Sequence, residues 1–320
     1  MEMIVDLKEK MEEKIKEACE VIETNISFEN NFVIYDKEGV LLNRYGNALE
    51  ECGYDVRILN LCDFNKSNQY NPLAYVDKPE EVMELAYYII DIMSSDDDGE
   101  SVQIQFALLS SILLYLKTFS PKHQQNLSSV MKLLRAVDVP DEYSKSKLDV
   151  IFEEIALKEP GSPALKQYVG CTLGHGVENC YAAKLLLSKF SLLNHKSFES
   201  LVIDDDISLA NMGYQKKVAC FVVLPLYEKN VQWVYELMTF QLIKQLNDLR
   251  SQIPISFINY PEELEYIIDG RVICDDRYII KQDINKKMSE SNEQTVVSKD
   301  INSINEHKTI LTLNSTDMLS

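Results

Sequence analysis

From Pro79 to about Asn211 the chain runs through one helix-patterned segment after another with no strand among them, and strand-rich sequence lies on both sides. PEEVMELAYYIIDIM, SVQIQFALLSSILLYLKTF, NLSSVMKLLRAV, SKLDVIFEEIAL and YAAKLLLSKFSLL each carry apolar residues at three-and-four spacing, the mark of a helix with one buried face. SSDDDGES, SPKHQQ and VPDEYS break the block between helices. So long a helical run without strands cannot complete a sheet, whereas its flanks can. The expected fold is therefore an α/β domain, built from residues 31–78 and 212–288, with an all-α domain, 79–211, inserted into it.

The first flank opens on NNFVIYDKEGVLLNRYGNALEECGYDVRILNL. An apolar run, Phe32 to Tyr35, ends at Asp36 and a turn containing Gly39. A helix-patterned stretch from Leu41 to Glu51, then Gly53, leads to a second strand, Val56 to Leu61. This β-turn-α-β unit predicts a parallel sheet with any ligand at the carboxyl ends of its strands. FNKSNQYNPLAYV, with Asn71-Pro72, reads as an irregular connection into the block. The second flank offers the strand KKVACFVVLPL, a long helix NVQWVYELMTFQLIKQLNDLR, the short strand IPISFINY, a helix PEELEYIIDG and then DDRYIIKQDINKKM. Residues 1–30 form an amphipathic N-terminal helix whose Ile4, Leu7, Met11, Ile15 and Ala18 keep helical spacing. Packing on its own domain is the expectation there, ahead of a partner or a membrane surface. Residues 289–320 are polar with one strand at KTILTL. No internal repeat is present.

The formal net charge of -19 works against a nucleic-acid-binding role, since phosphate neutralisation needs Lys and Arg on a surface. Seven cysteines (Cys19, Cys52, Cys62, Cys171, Cys180, Cys220, Cys274) include no CxxC pair. With no signal-like opening segment, the expectation is reduced thiols in a cytoplasm. The longest apolar runs, near ALLSSILLYL and VACFVVLPLY, extend over about ten residues, short of the ~20 that span a bilayer.

Few residues stand out as chemistry. Cys171, His175 and Cys180 in VGCTLGHGVENC lack a ligand pair at structural-zinc spacing, so a helix-entry turn is expected and no metal site is assigned. His123, His195 and His307 sit without nucleophile or carboxylate partners at recognisable spacing. Asp204, Asp205 and Asp206 are read as a solvated turn in preference to a cation site, and Trp233 as a core or domain-interface residue.

Four stretches together resemble the type IV secretion coupling proteins of the TraG/TraD type, the DNA-transfer ATPases of conjugative elements, above all the branch in integrative elements of Gram-positive bacteria. FVIYDKEGVLL is similar to the family's strand ending Asp-Pro-Lys-Gly-Glu. GYDVRILNLCDFNKSNQYNPLAYV matches its strand, Asn-Leu and Tyr-Asn-Pro turn. SLVIDDDISLANMGYQKKVACFVVLP is similar to its return into the sheet, and ELMTFQLIKQL to the helix behind that strand. The likeness runs from about Asn31 to Arg250. It implies a RecA-like, P-loop NTPase-type α/β core with an inserted all-α domain. In the family that domain recognises transfer substrates and relaxosome components while the core drives hexameric DNA translocation.

The departures are as specific. The family's P-loop, G-x-x-x-x-G-K-S/T, belongs a helix length before Phe32, where this sequence has KEKMEEKIKEACEVIETNI, and no Gly-Lys dipeptide occurs in the chain. Without such a loop there are no close backbone N–H groups and no Lys for the β- and γ-phosphates. Where the family closes its next strand on Asp-Glu, this sequence has Asn259, Tyr260 and Pro261, with Glu262 and Glu263 placed as first-turn helix residues. Asp36 lacks the following Pro, and Gly39 is followed by Val40. Asp36, suited to contacting solvent or capping a helix, and Gln282, similar to the family's γ-phosphate-sensing residue, are then vestigial nucleotide-site positions. No catalytic residue, metal or cofactor is expected. The expected role is a non-hydrolysing docking or scaffold component of DNA transfer, cytoplasmic or recruited to the inner face of the membrane. Its expected partners are other conjugative-transfer or relaxosome proteins, or an intact coupling-protein hexamer, with no tight DNA binding alone and only indirect membrane contact. The competing expectation is a divergent ATPase subunit whose P-loop comes from another chain, and a gene in decay is the third.

Overall fold

The computed structural model describes residues 15–26, 29–94, 101–139, 144–172, 176–226, 229–248, 253, 255–261, 264 and 279–281. Five parallel strands, β1 (Asn31–Lys37), β2 (Asp55–Asn60), β3 (Val218–Leu224), β4 (Ile255–Ile258) and β5 (Ile279–Lys281), form one sheet in the order β2-β3-β1-β4-β5. FVIY, VRILN and VACFVVL thus share a sheet, as their patterns predict. All seven residues of β3 are buried, because a strand inside a parallel sheet has helices over both faces.

Alternation along the strands divides the apolar side chains between two cores. Phe32, Ile34, Ala219, Phe221, Val223 and Ile258 point to one face, covered by helix α1 (residues 15–26) and α2 (Val40–Glu51). α1 is the described part of the expected N-terminal helix, and it packs through Ala18, Cys19 and Ile22. Ser256 of β4 and Asn25 of α1 add a buried side-chain hydrogen bond of 2.9 Å under this layer. α2 ends in a Schellman arrangement: Tyr54 N–H donates to Leu49 and Gly53 N–H to Glu50, both at 2.9 Å, with Gly53 at φ 82.

Val33, Tyr35, Cys220, Val222, Ile255 and Phe257 point to the other face, under helix α10 (Gln232–Asp248). The inserted block lies between β2 and β3 in sequence. Its helices are α3 (Pro79–Met93), α4 (Ser101–Phe119), α5 (Leu127–Arg135), α6 (Lys147–Lys158), α7 (Pro163–Thr172), α8 (Gly176–Lys189) and α9 (Lys196–Leu201). α7 and α9 were not among the five helices the periodicity picks out. The block's core is continuous with that of the sheet face and α10, so the inserted domain is all-α without being walled off. Pro79 at the first position of α3 and the Ser146–Asp149 capping box of α6 account for where those helices start.

The run ALLSSILLYL lies within α4. Its 19 residues are the one described helix that is long and apolar enough to cross a bilayer by length and composition. Gln105, Ser110 and Ser111 lie on its buried surface, and it packs against α3, α5, α7 and α8. Trp233 is buried, its ring in edge contacts with Phe190 and Phe198 at centroid distances of 5.8 and 6.0 Å. That places it in the core between α10 and the block.

Candidate functional site

A parallel sheet presents ligand-binding groups at the carboxyl ends of its strands, and the turn after β1 belongs to that edge. Glu38 and Gly39 both take left-handed backbone (φ 57 and 73), which turns the chain back sharply over the strand end. Glu38 N–H donates to the Leu224 carbonyl at the end of β3, 2.9 Å away. The turn brings the Asp36 carboxylate, 1 % exposed, under the start of α2, where Leu41 N–H donates to Oδ1 at 3.0 Å and Leu42 N–H to Oδ2 at 2.7 Å. Those are first-turn N–H groups without a partner inside the helix, and a carboxylate also complements the positive end of the helix dipole. Burial pushes the Asp36 carboxyl above its ordinary range, opposed by these backbone N–H groups.

The neighbouring strand ends are closed in the same manner. After β2, Asn60 Oδ1 accepts from Cys62 N–H (3.0 Å) and Asp63 N–H (2.8 Å), and Asp63 Oδ1 accepts from Asn65 N–H at 3.2 Å. After β4, Asn259 sits at φ 54 and donates Nδ2 to the Tyr35 carbonyl oxygen, 2.8 Å away. Asp36, Asn60, Asp63 and Asn259 are thus all bonded to main-chain groups of their own chain. Gln282, Glu262 and Glu263 lie outside the described residues.

Away from this edge, Asp204 and Asp206 are exposed, as expected of a solvated turn, whereas Asp205 is half-buried. Tyr75 Oη donates to Asp205 at 2.6 and 2.7 Å and accepts from Leu209 N–H at 3.0 Å. Asp206 accepts from Gln69 N–H through a short hydrogen bond, and Gln69 O accepts from Asp206 and Ile207 N–H, both at 3.1 Å. The entry loop (residues 61–78) and exit loop (residues 202–217) of the helical block are therefore zipped to each other. Asp205 is spent on the half-buried Tyr75, whose hydroxyl the loss of solvent and the adjacent carboxylate push well above the ordinary phenol range. Burial likewise raises the Asp205 carboxyl.

Two side chains that sequence reasoning passed over complete the clamp. Arg57 on β2, buried, donates Nη1 to the carbonyls of Ile207 (2.8 Å) and Ser208 (2.7 Å) and is held by Asp55 at 2.7 Å. Asn31, the first residue of β1, donates to the carbonyls of Met212 (2.7 Å) and Gln215 (2.6 Å) and accepts from Val218 N–H at 2.8 Å. Their partners lie far along the chain, and no local pattern announces them.

The other described candidates, Cys180, His123 and His195, lie in the helical block. Cys180 donates Sγ to the Val137 carbonyl at 3.3 Å, while His175 and the side chain of Cys171 lie outside the described residues. His123 is 3.5 Å from the Gln124 amide, and His195 starts α9. Among the described residues no group of three His, Cys, Asp or Glu side chains is placed to hold a metal.

A family model described as type IV secretory system conjugative DNA transfer matches residues 15–254. Among solved structures, the fold is similar to the bacterial conjugative coupling protein TrwBdeltaN70 in its unbound monoclinic form, at 11 % identity and a TM-score of 0.52 over 81 % of this chain and 56 % of that one. It is similar also to the plasmid coupling protein TrwB in complex with ADP and Mg2+ (11 % identity, TM-score 0.53) and with a non-hydrolysable ATP analogue (12 % identity, TM-score 0.54). These two matches each cover 81 % of this chain and 58 % of the other. At such identity the likeness is one of fold, and it identifies the RecA-like core with its all-α insertion. The chain spans a little over half the length of these structures. A search of curated protein sequences finds no match.

Proposed function

The chain belongs to the type IV secretory system conjugative DNA transfer family, and from that premise we propose that it acts as a non-hydrolysing docking or scaffold component of DNA transfer. The observation that carries this reading is the state of the strand ends. Phosphoryl transfer needs donors aimed at the phosphates, a carboxylate on the metal and a group that orients water. Here the end of β4 offers a carboxamide, Asn259, already donating to Tyr35, where a metal-holding acid belongs. Asp36 has both carboxylate oxygens committed to α2, so coordinating a cation would uncap that helix. Relatives of this fold have been solved with ADP and Mg2+, which makes nucleotide the ligand to test. The helical block, fixed to the sheet by its zipped entry and exit loops, is the surface we assign to other transfer proteins.

The experiment is magnesium-dependent phosphate release together with nucleotide affinity on the purified chain. Background release and no micromolar binding are expected. Micromolar ATP binding with turnover abolished in Asp36→Ala overturns the reading and favours a divergent ATPase subunit.

A further inference from the structure

We propose that α10 couples the helical block to the carboxyl-terminal edge of the sheet, through two buried polar side chains on its opposite faces. Thr239 and Gln241 are two residues apart, which on a helix places them about 200° apart around the axis. Both are buried. Thr239 Oγ1 lies 2.6 Å from the Tyr35 hydroxyl on β1, and the main-chain carbonyl of that same tyrosine receives the Asn259 side chain at the end of β4. On the other face, Gln241 Oε1 accepts from the Tyr70 hydroxyl at 2.5 Å and its Nε2 donates to the Pro72 carbonyl at 2.9 Å. The Tyr70 ring packs 6.1 Å from that of Tyr75, which holds Asp205 in the exit loop.

A hydrogen-bonded path therefore runs from the entry loop of the block, which the Tyr70–Tyr75 ring contact joins to the exit loop, through α10 to the strand end. Its mechanical meaning follows from burial. A buried hydroxyl or carboxamide is costly unless bonded, and here both faces of one stiff helix are bonded at once. Turning or sliding α10 to relieve a strain on the block side breaks the Thr239–Tyr35 contact on the sheet side. A load placed on the block by a docked partner is then felt at β1 and β4. This coupling holds whether or not the strand ends take up a nucleotide.

Hydrogen exchange by mass spectrometry on the full chain tests it, with Tyr70→Phe and Thr239→Val, each of which deletes one hydroxyl and keeps the shape. Each variant is expected to speed exchange in the segment 255–261 by about three- to ten-fold, the effect of one lost hydrogen bond on local opening. The double variant is expected to exceed the larger single by less than two singles multiplied together. Tyr168→Phe, which loses a 2.6 Å bond to Asp149 within the block, should leave 255–261 unchanged. Should Thr239→Val fail to fold, the comparison of Tyr70→Phe with Tyr168→Phe still decides. Faster exchange confined to residues 69–76 and 203–209 in Tyr70→Phe, or multiplicative behaviour in the double variant, overturns the coupling.

Discussion

Asn259, at the end of β4, donates its side-chain amide to the carbonyl oxygen of Tyr35 on β1, 2.8 Å away. At φ 54 it occupies left-handed backbone, which asparagine tolerates better than most residues. Asn259→Asp presents a carboxylate to that carbonyl and should cost about 1–3 kcal/mol, as for a buried acceptor left unmatched. Asn259→Gly loses the same bond but relieves the backbone, which offsets about 1 kcal/mol, so it should be the milder change. Urea unfolding ranks the two; an Asp variant as stable as the parent contradicts the structural role assigned to this amide.

Asp36 gives a pH prediction with a definite sign. Burial raises its folded-state pKa above the ordinary 3.8, so the folded chain holds the proton more tightly than the unfolded one. Its ionisation-linked contribution is then greatest below 3.8 and diminishes as pH rises through the raised value. Asparagine has no such dependence. The stability advantage of the parent over Asp36→Asn should therefore shrink with rising pH across that window, read from urea midpoints. An advantage that grows with pH would refute the assignment. Asp36→Ala removes both acceptors from the α2 start and should cost about 1–2 kcal/mol throughout.

These two positions also mark what the sequence discloses. The apolar runs FVIY and VACFVVL announce β1 and β3 because burial on both faces leaves a continuous run, and the helices that follow β1 and β3 give their connections the parallel crossover. The block's helices are readable where their stripe is regular, as in α5. α9 is too short to show a stripe, and α7 follows the breaker-rich Glu159–Pro163 segment with only a weak apolar stripe of its own. Asp205 is concealed because a run of three aspartates looks solvated from its own neighbours, and Tyr75, its partner, lies 130 residues earlier. Thr239 and Gln241 carry no such signal because a polar residue in an amphipathic helix ordinarily faces solvent, and α10 has almost no solvent face.

The Asp205–Tyr75 pair should separate geometry from charge. Tyr75→Phe removes the donor to both carboxylate oxygens and the acceptor for Leu209 N–H, leaving a half-buried charge short of partners. A loss of about 2–3 kcal/mol is expected. Asp205→Asn keeps one acceptor for Tyr75 and drops the charge that burial penalises, so it should cost clearly less. Thermal midpoints compare them, and limited proteolysis should show Tyr75→Phe cut first within residues 203–217. Equal losses in the two variants would mean that the charge, and not the bonding pattern, holds the loops.

DNA should bind this chain only weakly. Electrostatic binding requires cations free to replace the counterions of the phosphates, and the net charge is -19. Several described cations are already engaged. Arg57 is buried against two carbonyls and Asp55. Lys117 donates to the Leu73 carbonyl and pairs with Asp77. Lys217 donates to the Cys52 carbonyl and pairs with Glu29, and Lys244 pairs with Glu84. Freeing any of them for a phosphate gives up an existing contact, and the remaining acidic excess repels the duplex. The chain alone should therefore bind single- or double-stranded DNA no more tightly than about 10⁻⁵ M at physiological salt, within the non-specific range. Fluorescence anisotropy across a salt series is the measurement. A nanomolar complex whose affinity falls steeply with salt would place a basic surface on this molecule and would move its role from docking proteins to holding the transferred strand.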